Sequence, residues 1–147
     1  MPTLVTEIYS LKSGRPCRVP LFLEPVAAGF PSPASDYIEQ TLDLNEHLIQ
    51  NRSATFIVKA EGESMLEAGI HSGDMLVVDK SLEARDGDIV IVEVDGLFMV
   101  KRYRQSAGTL RLVAENSKYP PVKIHADSQV VVWGVVMHVI HSPRQSR

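Results

Sequence analysis

From Ala54 onward the chain consists of short β-branched runs broken by turn residues, and this punctuation restricts the fold more than any other feature. The runs are Thr55-Phe56-Ile57-Val58, Met75-Leu76-Val77-Val78, Asp88-Ile89-Val90-Ile91-Val92-Glu93-Val94 and Leu97-Phe98-Met99-Val100. Branched and aromatic side chains fit a pleated, half-buried surface better than a helix. Asp95-Gly96 lies between two runs and is a strong signal for a two-residue hairpin, because both residue types tolerate the left-handed backbone such a turn requires. Gly73-Asp74 and Asp86-Gly87-Asp88 mark further turns. Thr109 to Val113 and Val130 to Ile140 supply later strands. No helical stretch of crossover length separates the runs, so the expected fold is mainly β, a compact mixed β-strand domain built on antiparallel pairs.

The first third reads differently. Residues 1 to 20 hold Pro2, Gly14, Pro16 and Pro20 and no sustained period, which predicts an extended, weakly structured arm. Apolar residues resume at Leu21-Phe22-Leu23. The stretch Val26-Ala27-Ala28-Gly29-Phe30-Pro31-Ser32-Pro33 follows, its prolines excluding a helix and suiting entry into a cleft. Leu42 to Ile49 can form a short helix capped by Asp43 or Asn45.

Composition bounds the function. At 147 residues, 44% hydrophobic and 22% charged, the chain suits one globular core. Its longest apolar stretch, Val130 to Ile140, is broken by Gly134 and His138 and falls short of the roughly 20 residues of a membrane helix. No secretory leader is evident, and the expected compartment is the cytoplasm. A formal net charge of -3 argues against strong direct binding to nucleic acid, so any connection to DNA should run through partner proteins. Lone Cys17 offers no internal disulfide. His138 and His141 would face opposite ways on a strand, so no metal and no cofactor is expected.

Two positions carry potential chemistry. Ser64, in Gly62-Glu63-Ser64-Met65, follows a strand and precedes a short helical turn. A serine there is often a helix N-cap. The same location suits a nucleophile, because backbone N–H groups of Ser64 and Met65 at such a turn can hold an oxyanion. Strand alternation sets Lys101 on one face with Leu97, Met99 and Tyr103. Among apolar neighbours a lysine loses hydration, its pKa falls, and it can act as a neutral general base. The alternative is a lysine whose ammonium reaches solvent from a strand end.

Beyond these readings, the chain from about Leu21 to Ile140 resembles the UmuD family. The resemblance rests on Phe30-Pro31-Ser32-Pro33-Ala34-Ser35-Asp36-Tyr37, Asp43-Leu44-Asn45 and Val58-Lys59-Ala60-Glu61-Gly62-Glu63-Ser64-Met65. Further matches in order are Gly73-Asp74, Val78-Asp79, Gly87-Asp88-Ile89-Val90-Ile91, Gly96, Val100-Lys101, Asn116-Ser117, Tyr119 and Gly134-Val135-Val136. UmuD belongs with LexA-type repressors among the self-cleaving serine–lysine peptidases. The resemblance implies Ser64 as nucleophile, Lys101 as general base and a scissile bond between Ala28 and Gly29. UmuD proteins commonly carry cysteine where Ala28 stands, and alanine here is LexA-like. It further implies a cleavable arm, residues 1–28, and a peptidase and dimerisation domain, residues 29–147. The implied partners are a RecA filament on single-stranded DNA that stimulates the cut, a second copy in a homodimer, and a UmuC-like subunit of an error-prone translesion DNA polymerase in the SOS response. A LexA-like repressor is disfavoured, since the proline-broken arm has no helical period for a helix-turn-helix. A binding-only subunit with an idle Ser/Lys pair is the other reading.

Overall fold

The computed structural model describes residues 2–11, 14–22, 38–119 and 130–144. They fall into two compact units, one within residues 1–11 and 51–147, the other within 12–50.

In the larger unit, strands β1 (Leu4–Ser10), β4 (Thr55–Glu61), β5 (Met75–Asp79), β6 (Ile89–Val94), β7 (Leu97–Ser106), β8 (Thr109–Val113) and β9 (Val130–Ile140) form one antiparallel sheet in the order β1-β4-β5-β9-β6-β7-β8. β1 also pairs with β7 through Leu4 and Met99, so the sheet closes on itself with β8 outside the ring. This agrees with the expected mainly β, antiparallel fold. The smaller unit is a hairpin of β2 (Arg18–Phe22) and β3 (Ile38–Asp43), followed by helix α1 (Leu44–Leu48). Asp43 caps that helix, its carboxylate accepting from Asn45 N–H at 3.0 Å. The helix is thus shorter than the Leu42 to Ile49 expected, because Leu42 and Asp43 belong to β3.

Alternation along β7 places Val100 and Phe98 against one apolar cluster, with Val58, Ala60, Met65, Ile70, Leu76, Val78 and Ile91. Met99 and Tyr103 pack against another, with Val90, Val92, Leu112 and Val135. β9 serves both halves of the sheet, pairing with β6 through Val130 to Val135 and with β5 through Val135 to Ile140. Gly134 sits where this strand passes from one neighbour to the other. A Cβ there would lie 2.5 Å from Cγ1 of buried Val78, so only glycine fits without displacing the core.

The β6–β7 hairpin turns through Asp95 and Gly96 with φ of 49° and 85°, the left-handed pair expected from the sequence. The arm departs from expectation. Residues 4 to 10 are not weakly structured but a full strand, pairing from Leu4↔Glu61 to Ser10↔Phe56 with an irregularity between Val5 and Glu7. Val, Thr, Ile and Tyr give this segment strand propensity, but the hydrogen bonds that fix it come from β4, about fifty residues away in sequence.

Candidate active site

Ser64 stands just beyond β4, in a turn opened by Gly62 at φ 112° and leading into a 3-10 turn, Leu66–Ala68. It is fully buried. The N-cap position of that turn falls to Met65, with no side-chain cap, so the ordinary capping role for Ser64 does not apply. Its hydroxyl engages the N-terminal segment instead. Thr3 N–H donates to Ser64 Oγ at 2.7 Å, and Ser64 Oγ donates to Thr3 Oγ1 at 3.0 Å. Gly62 makes this approach possible, since a Cβ there would lie 2.8 Å from the Pro2 carbonyl carbon and 2.9 Å from Thr3 Cα. The Pro2–Thr3 peptide therefore packs directly on the Gly62–Ser64 turn.

Lys101 lies in β7, opposite Val90 of β6, and is 5% exposed. It does not reach freely into solvent. Burial alone lowers its pKa from the usual lysine value, and no carboxylate of the described residues forms a salt bridge with it to restore the charged form. The alternation of β7 that pointed to a desolvated lysine therefore holds. Thr3 connects the two elements: it bonds to Ser64, and its carbonyl accepts from the N–H of Val100, the residue before Lys101, at 3.0 Å. A buried hydroxyl, a buried amine of lowered pKa and an extended peptide laid against the hydroxyl are the parts an acyl-transfer site requires.

A region-wide match to the Peptidase S24-like family model spans residues 20–137. The chain belongs to the S24-like peptidase family. It is 46% identical to the protein ImpA of Escherichia coli over 129 residues, 87% of each chain. Over 127 residues it is 47% identical to SamA of Salmonella typhimurium, covering 86% of this chain and 88% of that one. A LexA repressor from Alcanivorax borkumensis is 36% identical over 118 residues, 80% of this chain and 57% of the repressor. These are UmuD-like and LexA-like proteins, so the resemblance read from the sequence holds, and membership makes a serine-peptidase activity of the self-cleaving kind the activity of this S24-like chain.

Ala28 and Gly29, the expected scissile pair, lie outside the described residues. Met65, expected to share the oxyanion site with Ser64, is buried at the start of the 3-10 turn. Thr3 was missed by sequence reasoning. A lone threonine beside Pro2 carries no local signal, and its place is set by pairing with residues far along the chain.

The sequence also gave no sign of a polar cluster away from Ser64. Asp74, buried before β5, accepts from His71 N–H at 2.8 Å and pairs with His141 Nδ1 at 2.6 Å, while the His71 and His141 rings stack 4.3 Å apart. His141 lies one residue past β9, outside the strand on which it was expected to face away from His138. The three ligand atoms lie within 4.8 Å of one another, whereas ligands sharing a tetrahedral zinc stand about 3.3 Å apart. As placed, the group is a hydrogen-bonded clasp between the end of β9 and the turn before β5.

Proposed function

We propose that this chain is an SOS-response peptidase that cuts its own peptide bond between Ala28 and Gly29. Its place among UmuD-like and LexA-like S24 relatives supports an SOS-related role. The observation that carries the mechanism is the burial of Lys101: an amine whose ammonium form is destabilised by lost hydration, with no counter-charge, is suited to take a proton near neutral pH.

In the proposed reaction neutral Lys101 accepts the proton of the Ser64 hydroxyl as Oγ bonds to the Ala28 carbonyl carbon. Backbone N–H groups of Ser64 and Met65 hold the oxyanion. Collapse breaks the Ala28–Gly29 bond, the proton passes to the Gly29 amine, and water then releases residues 1–28 from the acyl-enzyme. Because substrate and nucleophile share one chain, the bond is presented at high effective concentration. A RecA filament on single-stranded DNA stimulates this step by favouring the cleavable conformation. The product, residues 29–147, acts in the cytoplasm as a homodimer and joins a UmuC-like polymerase subunit. Neither role calls for a cofactor.

The test is the intact mass of purified protein after incubation with and without RecA, ATP and single-stranded DNA, beside Ser64→Ala and Lys101→Ala. Loss of residues 1–28 in the unsubstituted chain alone is the expected result. An intact chain under every condition overturns self-cleavage and leaves the binding-only reading. Pull-down of the shortened chain with a UmuC-like subunit tests the later step, and absence of binding would count against it.

A further inference from the structure

The groove beside Ser64 is already occupied. β1 runs between β4 and β7, with Leu4 opposite both Glu61 and Met99, and the Pro2–Thr3 peptide meets the nucleophile. We infer that this groove is a receiving site for an extended peptide strand, and that residues 2–10 fill it as a pseudo-substrate that competes with the segment around Ala28. The inference takes Ser64 as the nucleophile proposed above.

The geometry explains why the occupant is held and not cut. An amide N–H aimed at Ser64 Oγ puts the hydroxyl oxygen in the plane of the Pro2–Thr3 peptide, whereas a nucleophile must approach a carbonyl carbon from above that plane. With N···O at 2.7 Å, standard amide dimensions leave the Pro2 carbonyl carbon about 3.6 Å from Oγ and on the wrong line of approach. The hydroxyl proton is also directed at Thr3 Oγ1, where it cannot be passing to Lys101. Thr3 and Ser64 have no solvent exposure, so water does not compete for these bonds.

The remainder of β1 is built to leave. Thr6 to Ser10 are exposed, and Ile8 and Tyr9 are 43% and 47% exposed. Leu4 and Val5 are half-buried, Val5 against the core cluster, but the apolar side chains beyond them are exposed, and the ladder with β4 is interrupted between Val5 and Glu7. Such a segment opens at a fraction of the global unfolding free energy. Its departure would free a β4 edge, the Val100 N–H and the space over Gly62 for another extended segment.

Three chains decide the matter: the full chain, a variant lacking residues 2–10, and Thr3→Pro, which removes the N–H donor and the hydroxyl at Ser64 and sets ring carbons in their place. Two quantities are read without any stimulator, namely the rate at which residues 1–28 are lost and the rate at which a fluorophosphonate modifies Ser64. Both rates should rise about five- to a hundredfold in Thr3→Pro, the value of its two hydrogen bonds to Ser64, and more in the deletion. Adding a synthetic peptide of residues 2–11 to the deletion variant should slow both again, which a merely loosened fold would not do. Cleavage at equal rates in all three chains overturns the competitor and leaves self-cleavage standing. If no chain is cut, faster Ser64 modification in the variants still supports the occupied groove, and equal modification overturns it. Failure of Ser64 to react in any chain overturns both readings.

Discussion

Lys101→Met, in a Ser64→Ala background that prevents cleavage, should remove a pH dependence of stability that the parent chain shows. Lys101 is 5% exposed, and its pKa is lowered by desolvation alone. In the unfolded chain the same amine titrates near 10.4. Below the folded pKa both states carry the proton, and stability does not respond to this group. Between the folded and unfolded pKa values only the unfolded state holds the proton, so stability rises with pH, by at most about 1.4 kcal/mol per unit. Above the unfolded value it levels off. Methionine has similar length and no charge, so Lys101→Met should lack the rise and be the more stable protein at pH 7. On the proposed mechanism the same ionisation governs catalysis. Unassisted cleavage in the unsubstituted chain should rise tenfold per pH unit and flatten at the folded pKa, where the stability slope begins. Urea denaturation from pH 6 to 11 gives one curve and intact-mass kinetics the other. Identical slopes in parent and methionine proteins, or a cleavage rate flat from neutral to strongly alkaline pH, would refute Lys101 as a desolvated base. Cleavage by the Lys101→Met chain with Ser64 intact should fall about 10²–10⁴-fold, the usual loss of a general base.

Other consequences follow from the framework around the site. Gly134→Ala should cost about 1–3 kcal/mol, since its Cβ would meet Val78 Cγ1 at 2.5 Å, and Val78→Ala in the same chain should recover part of the loss in a double-mutant cycle by urea denaturation. Asp79 is desolvated, but bonds from Ser81 and from Asn51 Nδ2 at 2.7 Å outweigh this and hold its carboxyl below the usual carboxylate range. Its contribution is complete above the unfolded value near 3.9 and is lost as pH falls through the folded pKa. Asp79→Asn should therefore cost about 1.5–3 kcal/mol at pH 7, with the difference from the parent narrowing in acid, as read by thermal melts across pH 2 to 7.

Local chemistry made the core strands legible. β8 and β9 have the bounds expected from their β-branched runs, and Asp95-Gly96 forms the hairpin its residue types favour. Lys101 was legible because a period of two fixes which neighbours share its face. Three things were not. The β7–β8 turn uses Ala107 at φ 48°, a backbone that alanine seldom adopts and so does not advertise. β7 extends to Ser106 through Arg102, Arg104 and Gln105, whose polarity hides a strand that the β8 ladder stabilises. Thr3 and β1 depend on β4, β7 and Gly62 together, and no window of sequence contains all of them.

The division between what is buried and what is exposed bears on how the proposed peptidase would be kept silent. Ser64, Met65, Val100 and Lys101 are all buried, so the groups to which the proposed chemistry is assigned are held by the core. On the proposed mechanism and the inferred competition, latency resides in what the groove holds. If two segments of one chain compete for that groove, the free-energy difference between them is set by a few hydrogen bonds and a little apolar surface, and each 1.4 kcal/mol shifts the ratio about tenfold. A partner that preferred the chain with β1 displaced by even about 3 kcal/mol would raise the cleavable population roughly a hundredfold without touching Ser64 or Lys101. On this account the chain needs no switch in its catalytic residues, and substitutions in β1 should change how strongly cleavage depends on a stimulator while leaving the pH profile set by Lys101 in place.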